Sequence, residues 1–206
     1  MKQNILLLSF TLIPFLCFAQ KGYLEPAEDF TQSKGDLKEY YDNIFPKLYK
    51  GFSQKPYARY TSIPSFSEEY AFSVETTDNK YYIISNTFSE NFWYAKKRNQ
   101  VKLISHKTEI DPDLYLKIGD LFQILNQQTK KPEKEKRGFD GVMFYFSTID
   151  RSGQVRTGET WSPGENTLLD RLVKVCHRLF SIDKEKNNSN ADIVKEIEML
   201  IEEFKK

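Results

Sequence analysis

GFDGVMFYFSTIDRSGQVRTGETWSPGENTLLDRLVKVCHRLF, residues 138–180, holds the clearest succession of elements in the chain: strand, tight turn, strand, sharp stop, amphipathic helix. Asp140-Gly141 opens it. Val142, Phe144 and Phe146 alternate with Met143, Tyr145 and Ser147, so both faces are largely apolar, as in a strand covered on two sides. Asp150-Arg151-Ser152-Gly153 has turn chemistry, with Gly153 able to take positive φ. The chain returns from Gln154 to Trp161 with Gln154, Arg156 and Gly158 alternating with Val155, Thr157 and Glu159, a strand at most half buried. Gly158 suits a bulge or a close backbone approach. Residues 140–161 are therefore read as an antiparallel hairpin. Ser162-Pro163-Gly164 ends it, since proline cannot donate to a ladder and biases Ser162 away from helix. The spacing predicts a helix from Asn166 or Thr167, with Leu168, Leu169, Leu172, Val173, Val175, Cys176, Leu179 and Phe180 on one stripe that needs a sheet to cover it.

Outward from this stretch, the N-terminal side alternates between helix and strand signals. Residues 20–35 are polar and mixed and read as a loose arm. Asp36 opens a helix carrying Leu37, Tyr40, Tyr41, Ile44 and Leu48, with Pro46 expected to end or kink it. Strands are expected at 57–62, stopped by Pro64, and at 69–76 and 80–87, the latter two joined by Thr77-Asp78-Asn79 as a hairpin. Phe92-Trp93-Tyr94 and 101–108 read as further strands, separated by the basic turn Lys96-Lys97-Arg98-Asn99. Asp111-Pro112 is a helix start, with Leu114, Ile118, Leu121, Phe122 and Leu125 on the buried face and an end near Gln128. KKPEKEKR, 130–137, is a charged linker, and a last amphipathic helix carries Ile193, Ile197, Leu200, Ile201 and Phe204. These elements predict an α+β fold: an antiparallel sheet of about five to seven strands with three to four helices packed mainly on one face, forming one domain over 36–206.

The 206 residues suffice for one domain with a substantial core, and 39% hydrophobic with 29% charged residues is ordinary for a globular protein. Sixteen Phe and twelve Tyr lean the composition toward strands. MKQNILLLSFTLIPFLCFAQ begins with one Lys and an apolar run from Ile5 to Phe18, shorter than the ~20 residues of a membrane span. With Cys17 and Ala19 at −3 and −1 it reads as a signal peptide, 1–19, cleaved before Gln20; the bulky Phe15 and Leu16 argue against lipidation of Cys17. Its removal takes away Lys2, one of 30 basic residues, leaving 29 against 29 acidic ones. That balance carries no electrostatic footprint for nucleic acid or an anionic membrane. Cys176 is then the single cysteine, so no internal disulfide is expected, and its place on an apolar stripe reads as a buried, inert thiol.

No catalytic set is complete. Adjacent Cys176 and His177 point about 100° apart on a helix and share neither a metal nor a nucleophile–base contact easily, so neither a metal site nor a cofactor is expected. No Gly-rich phosphate loop and no G-x-S-x-G elbow occurs. Asp140 and Glu159 would make a paired-carboxylate site only if the hairpin brought them close; otherwise Asp140 serves the turn at Gly141 and Glu159 pairs with Arg156 or solvent. His106 reads as an edge histidine. What remains is a polar-aromatic group, Asp140, Tyr145, Arg156, Glu159, Trp161 and Ser162, in which Trp161 combines an apolar body with one N–H donor.

G-x-D-G at 138–141, the aromatics Tyr145 and Phe146, and T-W-S-P at 160–163 before a Leu-rich helix resemble a recurrent arrangement in uncharacterised exported bacterial proteins. The resemblance covers roughly residues 100–182. It implies a similar α+β domain, with no particular activity attached. Together with the leader it places the chain in the periplasm or outside a bacterial cell. The expected function is a non-enzymatic interaction domain for a protein or envelope component, with Asp140, Tyr145, Arg156, Glu159 and Trp161 as candidate binding residues. An enzyme using the acids or His106, and a module acting through an edge strand at 57–62 or 92–108, are the alternatives.

Overall fold

The computed structural model describes residues 22–27, 33–131, 140–184 and 190–206; the expected leader, Gly138 and most of the charged linker lie outside them. The chain runs β1 (Glu25–Pro26), α1 (Gly35–Leu48), β2 (Ala58–Pro64), β3 (Tyr70–Thr77), β4 (Lys80–Phe88), β5 (Leu103–Ile110), α2 (Pro112–Gln127), β6 (Val142–Ile149), β7 (Val155–Trp161), α3 (Leu168–Phe180) and α4 (Asn190–Phe204). The seven strands form one sheet in the order β1-β7-β6-β2-β3-β4-β5, and every pairing is antiparallel. This is the expected α+β fold.

Two local turns set the registers. Asp78 (φ 52°) and Asn79 (φ 59°) both sit in the left-handed region and close β3 onto β4 with Thr77 opposite Lys80. Asp and Asn adopt that conformation more readily than other non-glycine residues, and two such positions suit the twist of a two-residue hairpin. The expected hairpin at 140–161 forms with Met143 opposite Trp161 and Ile149 opposite Val155, and Gly153 takes φ 78° in its turn. β2 lies between β3 and β6 and is buried along its whole length.

Side-chain alternation divides the core. Tyr60, Phe72, Val74, Ile83, Phe144 and Phe146 meet α2, α3 and α4 in the larger cluster. On the opposite face Ile63, Phe88, Phe92 and Tyr145 meet Tyr40, Ile44 and Leu48 of α1. Three helices thus cover one face and one covers the other, which explains why β6 is apolar on both sides. α3 starts as the spacing predicts: Thr167 caps it, its hydroxyl accepting from the Asp170 amide at 3.2 Å.

Several local expectations are corrected. α1 passes through Pro46 to Leu48, because Ile44 and Leu48 are fully buried and hold its last turn to the sheet. Phe92-Trp93-Tyr94 is a turn, not a strand. The buried Glu69 carboxylate accepts the Phe92 amide at 2.9 Å, and Asn91 Oδ1 accepts the Tyr94 amide at 3.1 Å, so side chains satisfy these donors and no ladder is needed. β5 lies two residues further along than expected, opening at Leu103 opposite Phe88. Part of the expected loose arm is docked: Leu24 is buried, and Pro26 lies opposite Gly158 on β7. Gly158 is the close-approach glycine, since a Cβ there would stand 2.8 Å from Leu24 Cδ1.

Candidate functional site

The α2 carboxamides and the β6–β7 turn enclose an open groove of about 1160 Å³. Gln123, Asn126 and Gln127 recur at i, i+3 and i+4, so they share one side of the helix. Asp150, Arg151, Ser152 and Arg156 face them from the hairpin, with Pro26, Ala27, Thr129 and Val155 completing the rim. The parts are tied together. Gln123 Nε2 donates to the Ile149 carbonyl at 2.8 Å, fixing helix to hairpin, and the Ala27 amide donates to the Thr157 carbonyl at 3.0 Å, fixing the N-terminal segment.

Asp150 organises the hairpin end. Its Oδ1 accepts from the Ser152 amide (2.8 Å), the Ser152 hydroxyl (2.6 Å) and the Gln154 amide (3.0 Å), which is why Asp-Arg-Ser-Gly closes here. Its Oδ2 accepts Arg156 Nε at 2.8 Å. The Ser152 hydroxyl, then the Arg156 guanidinium and the Gln154 amide, hold its carboxyl well below the usual carboxylate range. Arg156 is thereby anchored through one nitrogen in a side chain that is otherwise exposed.

The structure separates the residues expected to act together. Arg156 pairs with Thr148 on the α2 face. Tyr145 and Glu159 are directly opposite each other on the α1 face, and each is only 3% exposed. Glu159 is therefore neither a partner of Arg156 nor solvated. Trp161 lies five residues from Arg156, roughly 17 Å along the strand, with its indole over Gly141, where an added Cβ would stand 2.5 Å from Nε1. Ser162 closes the same end, its hydroxyl accepting the Val142 amide at 2.9 Å. Asp140 is exposed just before β6. Only Arg156 of the expected group lines the groove. Asp150 and the amide stripe were missed, although Asp-x-Ser before Gly153 and the Gln123/Asn126/Gln127 spacing are both visible in the sequence.

Several other polar groups have structural partners. Glu69, fully buried, also accepts from Tyr40 Oη at 2.6 Å; burial first, and then this carboxylate, pushes the Tyr40 hydroxyl far above its ordinary value. Arg59 is buried over the Tyr49 ring at 4.3 Å and donates to the Ser53 carbonyl, clasping the segment after α1. His106 Nδ1 stands 3.4 Å from Asp183 Oδ2, and His177 Nδ1 lies 3.3 Å from Tyr70 Oη. Cys176 is fully buried, as its stripe implied, and desolvation raises its thiol well above the usual range. Among the described residues no group of three or more His, Cys, Asp and Glu side chains is placed to hold a metal ion, and no helix is long and apolar enough to cross a membrane.

No protein-family model, curated protein or solved structure matches the chain.

Proposed function

We propose that the chain is a non-enzymatic binding module, exported to the periplasm or beyond by a leader at 1–19, which holds a protein or envelope component in the groove between α2 and the β6–β7 turn. The carrying observation is the groove itself: about 1160 Å³, open, and lined by carboxamides, hydroxyls and one positioned guanidinium. Such a lining offers donors and acceptors along an extended ligand and no paired acid and base. The acids and histidine of the enzymatic alternative point in different directions. Glu159 is buried on the α1 face of β7, Asp140 is exposed beside β6, and His106 lies on β5, five strand spacings from β7, or about 24 Å.

Photo-crosslinking in the producing cell tests the reading. A crosslinking residue at Gln127, exposed on the groove rim, is expected to give a discrete adduct, and one at Lys195 on α4, away from the groove, none. Equal labelling from both positions, or none from Gln127, overturns it. The intact mass of the exported chain checks cleavage before Gln20.

A further inference from the structure

We infer that the groove recognises an acidic peptide segment and that Arg156 anchors one of its carboxylates; this rests on the groove being the binding site. Asp150 occupies Nε of Arg156 at 2.8 Å, and among the described residues neither Nη nitrogen has a protein partner. The guanidinium is therefore held at one edge while its far end keeps two parallel donors, the arrangement that matches a carboxylate bidentately. Orientation by Asp150 removes part of the ordering cost that a free arginine carries into binding. Arg151 lines the same groove, is exposed and has no ion-pair partner among the described residues. Asp150 is the single acid in the lining, and its oxygens already accept four hydrogen bonds. The groove thus carries two guanidinium groups against one saturated carboxylate, a net positive charge in a chain whose overall charge is close to zero.

A peptide suits the rest of the lining. The Gln127 carboxamide both donates and accepts, as peptide groups do, and Pro26 and Ala27 offer apolar surface for intervening side chains. One positioned fork flanked by neutral amides fits a carboxylate within a peptide better than it fits a phosphate polymer, which needs a row of cations.

Fluorescence anisotropy of the full chain with a fluorescein-labelled decapeptide of alternating Glu and Ser tests this, beside the same peptide with Gln for Glu and one with phosphoserine for Glu. The Glu peptide is expected to bind at least about tenfold more tightly than the Gln peptide, the loss expected for one charge-assisted pair. Arg156→Gln should remove about the same factor. Arg156→Lys, which keeps the charge without the fork, should recover only part of it, and Lys195→Gln should change nothing. Circular dichroism melts confirm that the variants fold. Equal affinity for the Glu and Gln peptides, binding of the phosphoserine peptide alone, or full rescue by Arg156→Lys overturns the inference. The two readings fail separately: a Gln127 adduct that survives Arg156→Gln undiminished removes the acidic ligand and keeps the groove, whereas no Gln127 adduct removes both.

Discussion

Gly119→Ala sets helix propensity against packing, and the structure decides the sign. Gly119 lies in the middle of α2. By propensity alone, alanine in a helix interior is better than glycine by about 0.8–1.0 kcal/mol. A Cβ here, however, would stand 2.0 Å from Tyr57 Oη, 2.3 Å from Cζ and 2.7 Å from Cε1. Ordinary contact is about 3.5 Å, so the Tyr57 ring must retreat by about 1.5 Å. It has little room: Tyr57 stacks on Tyr115 at 4.2 Å and 5°, and Tyr115 stacks on Tyr81 at 4.1 Å. Overpacking of this kind costs about 1–3 kcal/mol. The net expectation is a loss of about 1 kcal/mol, seen as a melting temperature lower by roughly 2–4 °C for a chain of this size. In a Tyr57→Ala background the obstacle is gone, and Gly119→Ala should then stabilise by about the propensity difference. Thermal and urea unfolding of the four proteins in this cycle measure the coupling. A single variant more stable than the parent, or a penalty unchanged without Tyr57, would refute the notch that Tyr57 is argued to fill.

Three further outcomes follow from named contacts. Glu69→Ala leaves the buried Tyr40 hydroxyl and Phe92 amide without their acceptor, at about 1–3 kcal/mol each, so urea unfolding should show a loss of about 2–6 kcal/mol; a loss below about 1 kcal/mol would remove Glu69 as the tie between α1 and the 89–101 segment. Thr167→Ala removes the α3 cap and should cost about 1 kcal/mol, whereas Thr167→Asp should retain stability in the same melts. Asp150 has a depressed folded-state carboxyl, so its contribution is fully present above the unfolded value of about 3.9 and is lost as pH falls through the folded one. NMR titration of its carboxyl carbon should place the midpoint below the usual range, and Arg156→Ala should move it upward; no movement would mean that Arg156 contributes nothing to holding the ionised form.

What the sequence revealed about the fold was local chemistry. The β6–β7 hairpin is written in Asp150-Arg-Ser-Gly153 and in the alternation on either side of it, and α3 in Thr167 followed by an apolar stripe. The misread segments depend on residues far away in sequence. Phe92-Trp93-Tyr94 has strand composition, but its donors are met by Glu69, more than twenty residues earlier, and by Asn91. Leu24 is held because Gly158, far downstream, leaves space beside β7. The site shows a different kind of failure. Arg156 and Glu159 are separated by three residues, and in a strand an odd separation places side chains on opposite faces. Strand periodicity alone therefore rules out their pairing. The partner of Arg156 lay across the turn instead, at Asp150.

The chain uses two carboxylates as anchors in contrasting ways: one is used up within the fold, and the other leaves part of its partner open. Glu69 is fully buried and accepts from donors on α1 and on the 89–101 segment, so the groups it meets are used up within the fold. Asp150 also accepts repeatedly, and three of those bonds close a turn. The fourth goes to an arginine whose far donors stay open toward a groove. Closing the hairpin did not require Arg156: the turn is already complete through Ser152 and Gln154. A surface ion pair contributes little to stability, about 0–1 kcal/mol. Its physical consequence here is orientation rather than folding, because it fixes where the unused end of a guanidinium points. Removing Arg156 should therefore leave the melting temperature nearly unchanged while weakening binding of the proposed acidic peptide, whereas removing Glu69 should unfold the domain more easily. If Arg156→Gln lowered stability as far as Glu69→Ala does, Arg156 would be a structural clasp and the groove would lose its anchor.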